Sequence, residues 1–410
     1  MTDSPTGDEP TLVPIVAPRE GTPPVISTVA DLEAAVAALA GGTGPVAADA
    51  ERASGYRYGQ RTYLVQLRRE GAGTLLIDPI AVGPLDAVAA ATGDAEWVLH
   101  AADQDLPGFH DLGMFPAALF DTELAGRLLG RPKVGLGALL AGELGYQLAK
   151  EHSAADWSTR PLPEDWLRYA ALDVEFLLEL RDVLVADLDR DGKLEWAQQE
   201  FDAVRLAPPS PPREDPWRRT SSLHTVRDVR GIGLVREMWQ ARDELAQRRD
   251  RAPGRVLPDR AIVAAAHALP RTMADLGALP EFSGRGTHRN LAYWWQAVER
   301  ALALPAADLP PRRQVVSRTT PPPPRVWGEK DPEAARRLDA VRGSVRELAE
   351  SLTVPQENLL APAIQRQLAW APPEGTVDAA AVREALTAQG ARPWQVELTA
   401  SVLAAALRVD

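Results

Sequence analysis

Two proline-dense stretches constrain the fold of this 410-residue chain more than any other feature of its sequence. They read "APPSPPREDP" at residues 207–216 and "TTPPPPRV" at residues 319–326. Proline fixes φ and has no backbone N–H, so neither stretch can continue a helix or a central strand. Both are typical of extended linkers. The sequence therefore predicts separate bodies joined by linkers, each large enough for a core of its own.

The predicted boundaries follow from these linkers and from a Pro-, Thr- and Asp-rich start typical of disorder. They are a disordered tail at 1–24, a first body at 25–206, a linker at 207–220, a second body at 221–305, a linker at 306–330 and a third body at 331–410.

The first body alternates strand-like and helix-like segments. Short apolar or alternating runs are "GPVAADAE", "TYLVQLRR", "GTLLIDP" and "EWVLHA". Helical periods appear in "DLEAAVAAL", "ELAGRLLG" and residues 164–190. This alternation predicts an α/β domain in which helices flank a mixed sheet. The second and third bodies show helical periods alone, which predicts two all-α bundles of four or five helices that could share one architecture.

Charge is distributed unevenly along the chain. The net charge of −12 divides into −17 for residues 1–210, +7 for residues 211–320 and −2 for residues 321–410. A basic module can hold phosphates even in an acidic chain, so the middle segment is a candidate nucleic-acid surface. Its cations are arginines, which suit bidentate phosphate contacts, although a genomic bias towards arginine codons explains the choice equally well.

Composition excludes several classes of protein. The chain has no cysteine, so disulfides and thiolate metal sites are ruled out. The start "MTDSPTGDEP" is acidic and lacks the basic-then-apolar pattern of a signal peptide. No apolar run approaches the ~18–20 residues that span a bilayer. We therefore expect a cytoplasmic protein with no membrane partner.

Carboxylates occur in three places of the first body. Asp49 and Glu51 end a predicted strand two positions apart, so they share one face. Asp103 and Asp105 lie where "WVLHAADQDLPGFHDL" turns from strand to helix, and Asp103 is predicted to be a structural N-cap. The third place is "WLRYAALDVEFLLEL", where a tyrosine and an aspartate four positions apart share one helix face. Taken alone, that pair is no more than the polar stripe of a helix.

Convergence of these groups would change their interpretation. Two like charges ~4 Å apart repel by about 4 kcal/mol at an effective dielectric near 20. Several converging carboxylates must therefore be protonated or neutralised by cations, and a set of oxygen ligands suits Mg²⁺ or Mn²⁺. Two such ions stabilise the attacking and leaving oxygens in phosphodiester cleavage, and a nearby phenol can orient the attacking water.

The order of "DAE", "HAADQDL" and "YAALD" resembles the three exonuclease motifs of the DEDD superfamily, in its tyrosine subclass. The flanking segments "YRYGQRTYLVQL", "FDTELAGRLLG" and "DWSTRPLPEDWLRYAALDVEFL" are similar to the bacterial ribonuclease D family in particular. The segment "REMWQARDELAQRRDRAPGRVLPDRAIVAAAHALP" resembles the helicase-and-RNase-D C-terminal (HRDC) helical module, and the third body is expected to be a second HRDC-like domain. Together these likenesses cover nearly all of residues 25–305.

The resemblance implies a ribonuclease H-like exonuclease domain with a defined set of site residues. Asp49, Glu51, Asp105 and Asp173 become the ligands of two divalent ions, Mg²⁺ or Mn²⁺, and Tyr169 becomes the residue that positions water. The implied function is metal-dependent 3′-5′ exoribonuclease activity that trims single-stranded RNA 3′ ends, such as those of tRNA precursors, and releases nucleoside 5′-monophosphates. We expect a monomer.

The sequence permits several alternatives. Asp103 could replace Asp105 in the second motif, although Asp105, followed by Leu106, fits the family pattern better. Trp157 and Arg160 of "DWSTRPL" are expected to brace the following helix. Alternative functions are a DNA-directed 3′-5′ exonuclease and a catalytically silent nucleic-acid-binding protein on the same scaffold.

Overall fold

The computed structural model describes residues 12–148, 155–209, 211–312 and 321–408. Its strands are β1 Val13–Ile15, β2 Val25–Ile26, β3 Thr43–Arg52, β4 Thr62–Glu70, β5 Gly73–Ile77, β6 Glu96–Leu99, β7 Ala118–Asp121 and β8 Tyr146–Leu148. The helices of the first body are α1 Val29–Gly41, α2 Pro79–Val82, α3 Asp86–Thr92, α4 Leu106–Asp111, α5 Thr122–Leu128, α6 Leu136–Leu139, α7 Glu164–Glu175, α8 Leu177–Arg190 and α9 Leu194–Arg205.

Six strands form one mixed sheet in the order β2-β5-β4-β3-β6-β7. β3 lies antiparallel to β4 and parallel to β6, and β7 continues the parallel side. β3 is central and its buried positions are mostly alanine, Ala47, Ala48 and Ala50. Small side chains let helices approach the strand closely, and both α7 and α8 pack on it. The predicted α/β class with a mixed sheet is confirmed.

The chain before the sheet differs from the predicted disordered tail. Within its described part, β1 pairs in parallel with β8, with Val13 opposite Tyr146. Arg19 then forms an ion pair with Glu179, and its guanidinium lies 4.7 Å from the centroid of the Phe176 ring. These partners are more than 120 residues away in sequence, so local composition gives no sign of them. Residues 1–11 of the predicted tail lie outside the described residues.

The second body is helical, as predicted, and begins earlier than its predicted boundary. Its helices are α10 Val229–Arg249, α11 Pro253–Val256, α12 Asp259–Ala268, α13 Met273–Gly277, α14 Arg285–Arg289 and α15 Leu291–Ala303. Trp217 lies in the predicted linker at 207–220, but its side chain is buried in the core of the second body with Met238 and Trp294. An aromatic residue in a proline-rich stretch has therefore become part of the core.

The third body repeats the succession of helices seen at the start of the second. Its helices are α16 Trp327–Lys330, α17 Pro332–Leu352, α18 Gln356–Leu359, α19 Pro362–Trp370, α20 Ala379–Ala388 and α21 Pro393–Ala406. α10 and α17 both have 21 residues and end in a left-handed cap, at Asp250 and Thr353. A four-residue helix follows each of them. Trp327, in the predicted linker at 306–330, is fully buried against α17.

The first and third bodies share one hydrophobic core, whereas the linker pattern predicted separate ones. Trp394 of α21 stacks on Trp196 of α9 with ring centroids 5.0 Å apart. Its Nε1 donates to Glu200 Oε1 at 3.0 Å. The buried Lys193 ammonium donates to the carbonyls of Leu128 and Leu352, each at 2.8 Å. Buried apolar residues from both bodies form a single continuous cluster across this junction.

None of the helices in the described ranges has the length and apolar character that crossing a membrane requires.

Candidate active site

Three carboxylates meet at the end of the central strand. Asp49 and Glu51 project from the same face of β3, and α7 brings Asp173 above them. Each offers an oxygen that lies within 4.8 Å of the other two. The two-residue spacing on the strand and the packing of α7 on β3 together produce this convergence.

Asp105 joins the cluster from the turn after β6. It occupies the N-cap position of α4, but its side chain makes no capping hydrogen bond. The carboxyl is instead hydrogen-bonded to that of Asp49 and paired with Arg52 Nη2 at 3.1 Å. Asp103 is exposed and lies outside α4 and its cap, so the prediction that it is the N-cap is wrong. The helix begins two residues later than the sequence pattern indicated.

Arg52 is a member of the site that sequence reasoning missed. Its Nη1 donates to the Gln104 carbonyl at 2.6 Å while Nη2 reaches Asp105. Regular alternation would direct Arg52 away from Glu51, but the pairing of β3 with β4 shifts register between these two residues. A bulge of this kind redirects a side chain and is common beside active sites. The sequence shows an arginine directly after Asp-x-Glu, but it does not show the bulge that turns this side chain towards Asp105.

Burial and mutual repulsion favour the protonated forms of these carboxyls. Burial, then the charge of Asp49, raises the pKa of Asp105 to about 8, against the opposing effect of Arg52. Burial, with the charges of Asp49 and Asp173, raises the pKa of Glu51 well above its usual value. The pKa of Asp173 is raised by burial first and by Asp49 second. A cation in the cluster would reverse these shifts.

Tyr169 lies one helical turn before Asp173 and is hydrogen-bonded to its carboxyl. The phenol is half-buried at the edge of the cluster. Burial raises the pKa of Tyr169, and the charges of Asp173 and Glu51 add to the shift. The hydroxyl therefore keeps its proton at neutral pH and can act as a hydrogen-bond donor and acceptor.

The five predicted residues surround one cavity of about 310 Å³. His100 and Glu123 also line it, and His100 Nδ1 lies 2.9 Å from Thr122 Oγ1. Burial lowers the pKa of His100 to about 4, so this imidazole is neutral near pH 7. A groove of about 560 Å³ adjoins the cavity, and Glu51 and Gln104 lie in the walls of both.

Asp121 supports the turn that carries Asp105. Its buried carboxylate accepts hydrogen bonds from the Ala101 and Ala102 amides at 3.1 and 2.8 Å. It also caps α5 through the Glu123 amide. Burial raises the pKa of Asp121 to about 6. The sequence carried a signal for this residue, since an aspartate between a strand and a helical period is a preferred N-cap.

Trp157 and Arg160 have contacts that fit the predicted bracing role. The Trp157 side chain is fully buried beside Trp166. Arg160 donates through Nε to Asp78 at 2.6 Å and through Nη2 to the Tyr63 carbonyl at 2.8 Å. Neither residue lines the acidic cavity.

The donor set fits a divalent metal ion. Asp49, Glu51 and Asp173 offer only oxygen atoms, which Mg²⁺ and Mn²⁺ prefer, at a separation that one ion can bridge. Carboxyls buried this close to one another repel strongly when ionised, and a bound cation removes that repulsion. Asp105 lies beside them through its contact with Asp49 and can contribute to the same centre.

Comparisons with protein families agree with this geometry. Residues 23–189 match the family model described as 3′-5′ exonuclease, residues 232–298 match the HRDC domain, and residues 320–407 match the 3′ to 5′ exonuclease C-terminal domain. A 3′-5′ exonuclease domain of this kind implies the use of divalent metal, for which the acidic cluster provides ligands.

Known proteins resemble the chain along most of its length. Ribonuclease D of Gluconacetobacter diazotrophicus is 35% identical over 270 residues, which are 61% of this chain and 66% of that protein. The chain thus spans just under two thirds of the length of this curated relative. A crystal structure of a protein from Bifidobacterium adolescentis is 40% identical, with a TM-score of 0.89 over 97% of this chain and 100% of the other.

The crystal structure of Escherichia coli RNase D, described as an exoribonuclease involved in structured RNA processing, is 24% identical and has a TM-score of 0.67. The match covers 94% of this chain and 98% of the other, so the two share a fold. With its exonuclease, HRDC and C-terminal exonuclease domains in that order, the chain belongs to the ribonuclease D family.

Proposed function

We propose that this protein is a metal-dependent 3′-5′ exoribonuclease that trims single-stranded RNA 3′ ends and releases nucleoside 5′-monophosphates. The observation that carries the proposal is the convergence of Asp49, Glu51 and Asp173 within 4.8 Å, with Asp105 hydrogen-bonded to Asp49. The curated relatives are named ribonuclease D, which favours RNA over DNA as the substrate.

In the proposed mechanism the four carboxylates would hold two divalent ions, Mg²⁺ or Mn²⁺. Bound ions of this kind stabilise the charge on the attacking and leaving oxygens of a phosphodiester. The hydrogen bond between Tyr169 and Asp173 fixes the direction of the phenol. The hydroxyl can then accept a hydrogen bond from the attacking water and hold it in line with the phosphorus. The groove that adjoins the cavity is large enough to take the terminal nucleotide, and the neutral His100 lines the cavity beside it.

The substrate class follows from charge and from the relatives. An acidic cavity needs cations before it can accept a phosphate, and the +7 balance of residues 211–320 supplies phosphate contacts outside the cavity. We propose tRNA precursors with 3′ extensions as substrates, and a monomer as the working form.

A degradation assay tests the proposal directly. Purified protein is incubated with labelled 3′-tailed tRNA, mature tRNA and a DNA strand matched to the tail, in Mg²⁺, Mn²⁺ or EDTA. We expect a ladder of products shortened from the 3′ end of the RNA with either metal, and none in EDTA. Degradation of the DNA alone would identify a DNA-directed exonuclease, and binding without degradation would identify a silent scaffold.

A matched pair of variants tests the second-motif residue. Asp105→Asn removes a buried carboxylate of the cluster, and we expect turnover to fall by at least about 10²-fold, since misplaced reacting groups commonly cost that much. Asp103→Asn makes the same chemical change two residues away at an exposed position. We expect this variant to lose far less activity than Asp105→Asn, although Asp103 lines the adjoining groove. The reverse result would move the role to Asp103.

A further inference from the structure

The loop after the first acidic motif forms the rim of the site. Residues 53–60, here called the rim loop, begin two positions after Glu51 and lead into β4. Ser54, Gly55 and Gln60 of this loop line the groove of about 560 Å³ that adjoins the acidic cavity. The position of the loop therefore sets the width of the groove beside the carboxylates.

The second body contacts this loop through residues 243–255, which run from the last turns of α10 into α11. Tyr58 donates its hydroxyl to Asp243 Oδ2 at 3.1 Å. The Ala252 amide donates to the Tyr56 carbonyl at 2.9 Å. Arg255 Nε donates to the Gly55 carbonyl at 2.6 Å.

Ring and charge contacts reinforce the same junction. The Arg255 guanidinium lies 4.0 Å from the centroid of the Tyr56 ring, a favourable cation–π geometry. Asp250 pairs with Arg57 at 3.5 Å and accepts a hydrogen bond from the Tyr58 amide at 3.3 Å. Backbone, ring and charged groups of the rim loop are thus all bound by the second body.

Both sides of this junction are anchored in folded structure. Leu257, which follows the contacting residues, is buried in the core of the second body, and Ala252 is itself buried. On the other side, Arg57 donates to Ser158 Oγ at 2.7 Å, and Ser158 follows the fully buried Trp157. That segment leads into α7, which carries Tyr169 and Asp173. The rim loop therefore links the second body to β3 and α7, two of the elements that supply the acidic cluster.

We propose that the second body is a positioning element of the nuclease site, because its hold on the rim loop keeps the groove at the width that aligns the terminal phosphodiester. This inference rests on the proposed exonuclease function and deepens it. Its consequence is specific: breaking the junction slows hydrolysis even of an RNA dinucleotide, whose single phosphodiester must lie at the carboxylates. A second body that served as a binding surface alone would affect long RNA and leave the dinucleotide unchanged.

The experiment uses the full-length protein with single substitutions at the junction. Tyr58→Phe removes the hydroxyl that donates to Asp243, and Asp243→Ala removes the acceptor. Asp243→Asn keeps an acceptor oxygen and serves as the conservative rescue. Tyr293→Phe is the matched control, since its hydroxyl donates at 2.9 Å to the Ala241 carbonyl within the second body and does not touch the rim loop.

We measure kcat and KM on an RNA dinucleotide and on a 3′-tailed RNA in Mn²⁺, with melting temperature and hydrogen exchange of the rim loop. For Tyr58→Phe and Asp243→Ala we expect kcat on the dinucleotide to fall about tenfold, with KM and melting temperature nearly unchanged and faster exchange at residues 53–60. Asp243→Asn and Tyr293→Phe should behave like the parent.

Two results would overturn the inference. Parent-like kcat on the dinucleotide in both junction variants would mean that hydrolysis does not depend on the Tyr58–Asp243 contact between the rim loop and the second body. A rise in KM on the long RNA alone would make the second body a binding surface. If the parent degraded neither RNA, the proposed function itself would fail, and the inference with it.

Discussion

Replacing Asp49 by asparagine is expected to stabilise the metal-free protein while it abolishes hydrolysis. Its carboxylate lies within 4.8 Å of those of Glu51 and Asp173, where two unit charges repel by about 3.5 kcal/mol at an effective dielectric near 20. A carboxyl can escape this repulsion by taking up a proton, which near pH 7 costs about 4 kcal/mol for an ordinary aspartate. The free energy of unfolding can therefore rise by no more than the smaller of these two energies when Asp49 is replaced.

Asparagine keeps the shape of the side chain and can still accept the hydrogen bond from the Ala50 amide that Asp49 accepts. The substitution therefore removes one charge with little loss of packing. We expect the free energy of unfolding at pH 7.5 in EDTA to rise by about 1–3 kcal/mol. That corresponds to a melting temperature about 2–4 °C higher per kcal/mol.

The assay compares melting temperatures of the parent and Asp49→Asn in EDTA and in saturating Mn²⁺. In Mn²⁺ the order should reverse, because only the parent keeps the full ligand set and gains binding free energy. At pH 5 in EDTA the difference should shrink, since the remaining carboxyls are then largely protonated. Asp94→Asn, an exposed position between α3 and β6 and away from the cluster, is the control and should change neither value.

Two outcomes would refute the electrostatic reasoning. A lower melting temperature of Asp49→Asn in EDTA would mean that the carboxylate makes net stabilising contacts. An equal rise in EDTA and in Mn²⁺ would mean that the variant acts through packing and that metal does not bind at Asp49.

Three further predictions use the same site and the basic segment. The pKa of Asp105 is raised to about 8 in the folded protein, so its protonated form contributes to stability at low pH and this contribution is lost as the pH rises through that value. Thermal melts in EDTA should therefore show stability falling between pH 5 and pH 8, and Mn²⁺ should restore it. Tyr169→Phe should lower kcat on RNA by on the order of 10²-fold with RNA affinity unchanged, as for an interaction made in the transition state; turnover at the parent rate would make the phenol a packing residue. Arg227 and Arg260 are exposed in the second body, and replacing either by Gln should flatten the slope of log K for RNA binding against log salt by about 0.7 if it contacts a phosphate. Arg346→Gln, at an exposed position of the third body, is the control and should leave the slope unchanged.

Sequence periodicity was sufficient wherever the determining contacts were local. The strand and helix periods located β3 to β6, α1, α5 and the α7–α8 pair, and therefore the class of the first body. The same two-residue and four-residue periods predicted that Asp49 would share a face with Glu51, and Tyr169 a face with Asp173. The carboxylates of Asp49, Glu51 and Asp173 do approach one another, because α7 packs directly on β3.

Local patterns failed where one residue depends on a distant partner. The bulge beside Glu51 turns Arg52 towards Asp105, and nothing in the sequence of β3 alone marks that shift of register. Trp217 and Trp327 lie in proline-rich stretches that predict linkers, yet the burial of a large indole outweighs the local preference for an extended chain. The strand Val13–Ile15 exists because of Tyr146–Leu148, more than 100 residues further on.

The core shared by the first and third bodies has a consequence for synthesis of the protein on the ribosome. Residues 26–201 contain every side chain of the acidic cluster, but their core is continuous with that of residues 341–407. Chains emerge from the ribosome N-terminus first, so Trp196 and Lys193 remain without Trp394 and the Leu352 carbonyl until the third body has been made. The proposed nuclease domain therefore reaches its final stability only after residues 341–407 have been made, and a chain released before that point exposes apolar surface that marks it for degradation.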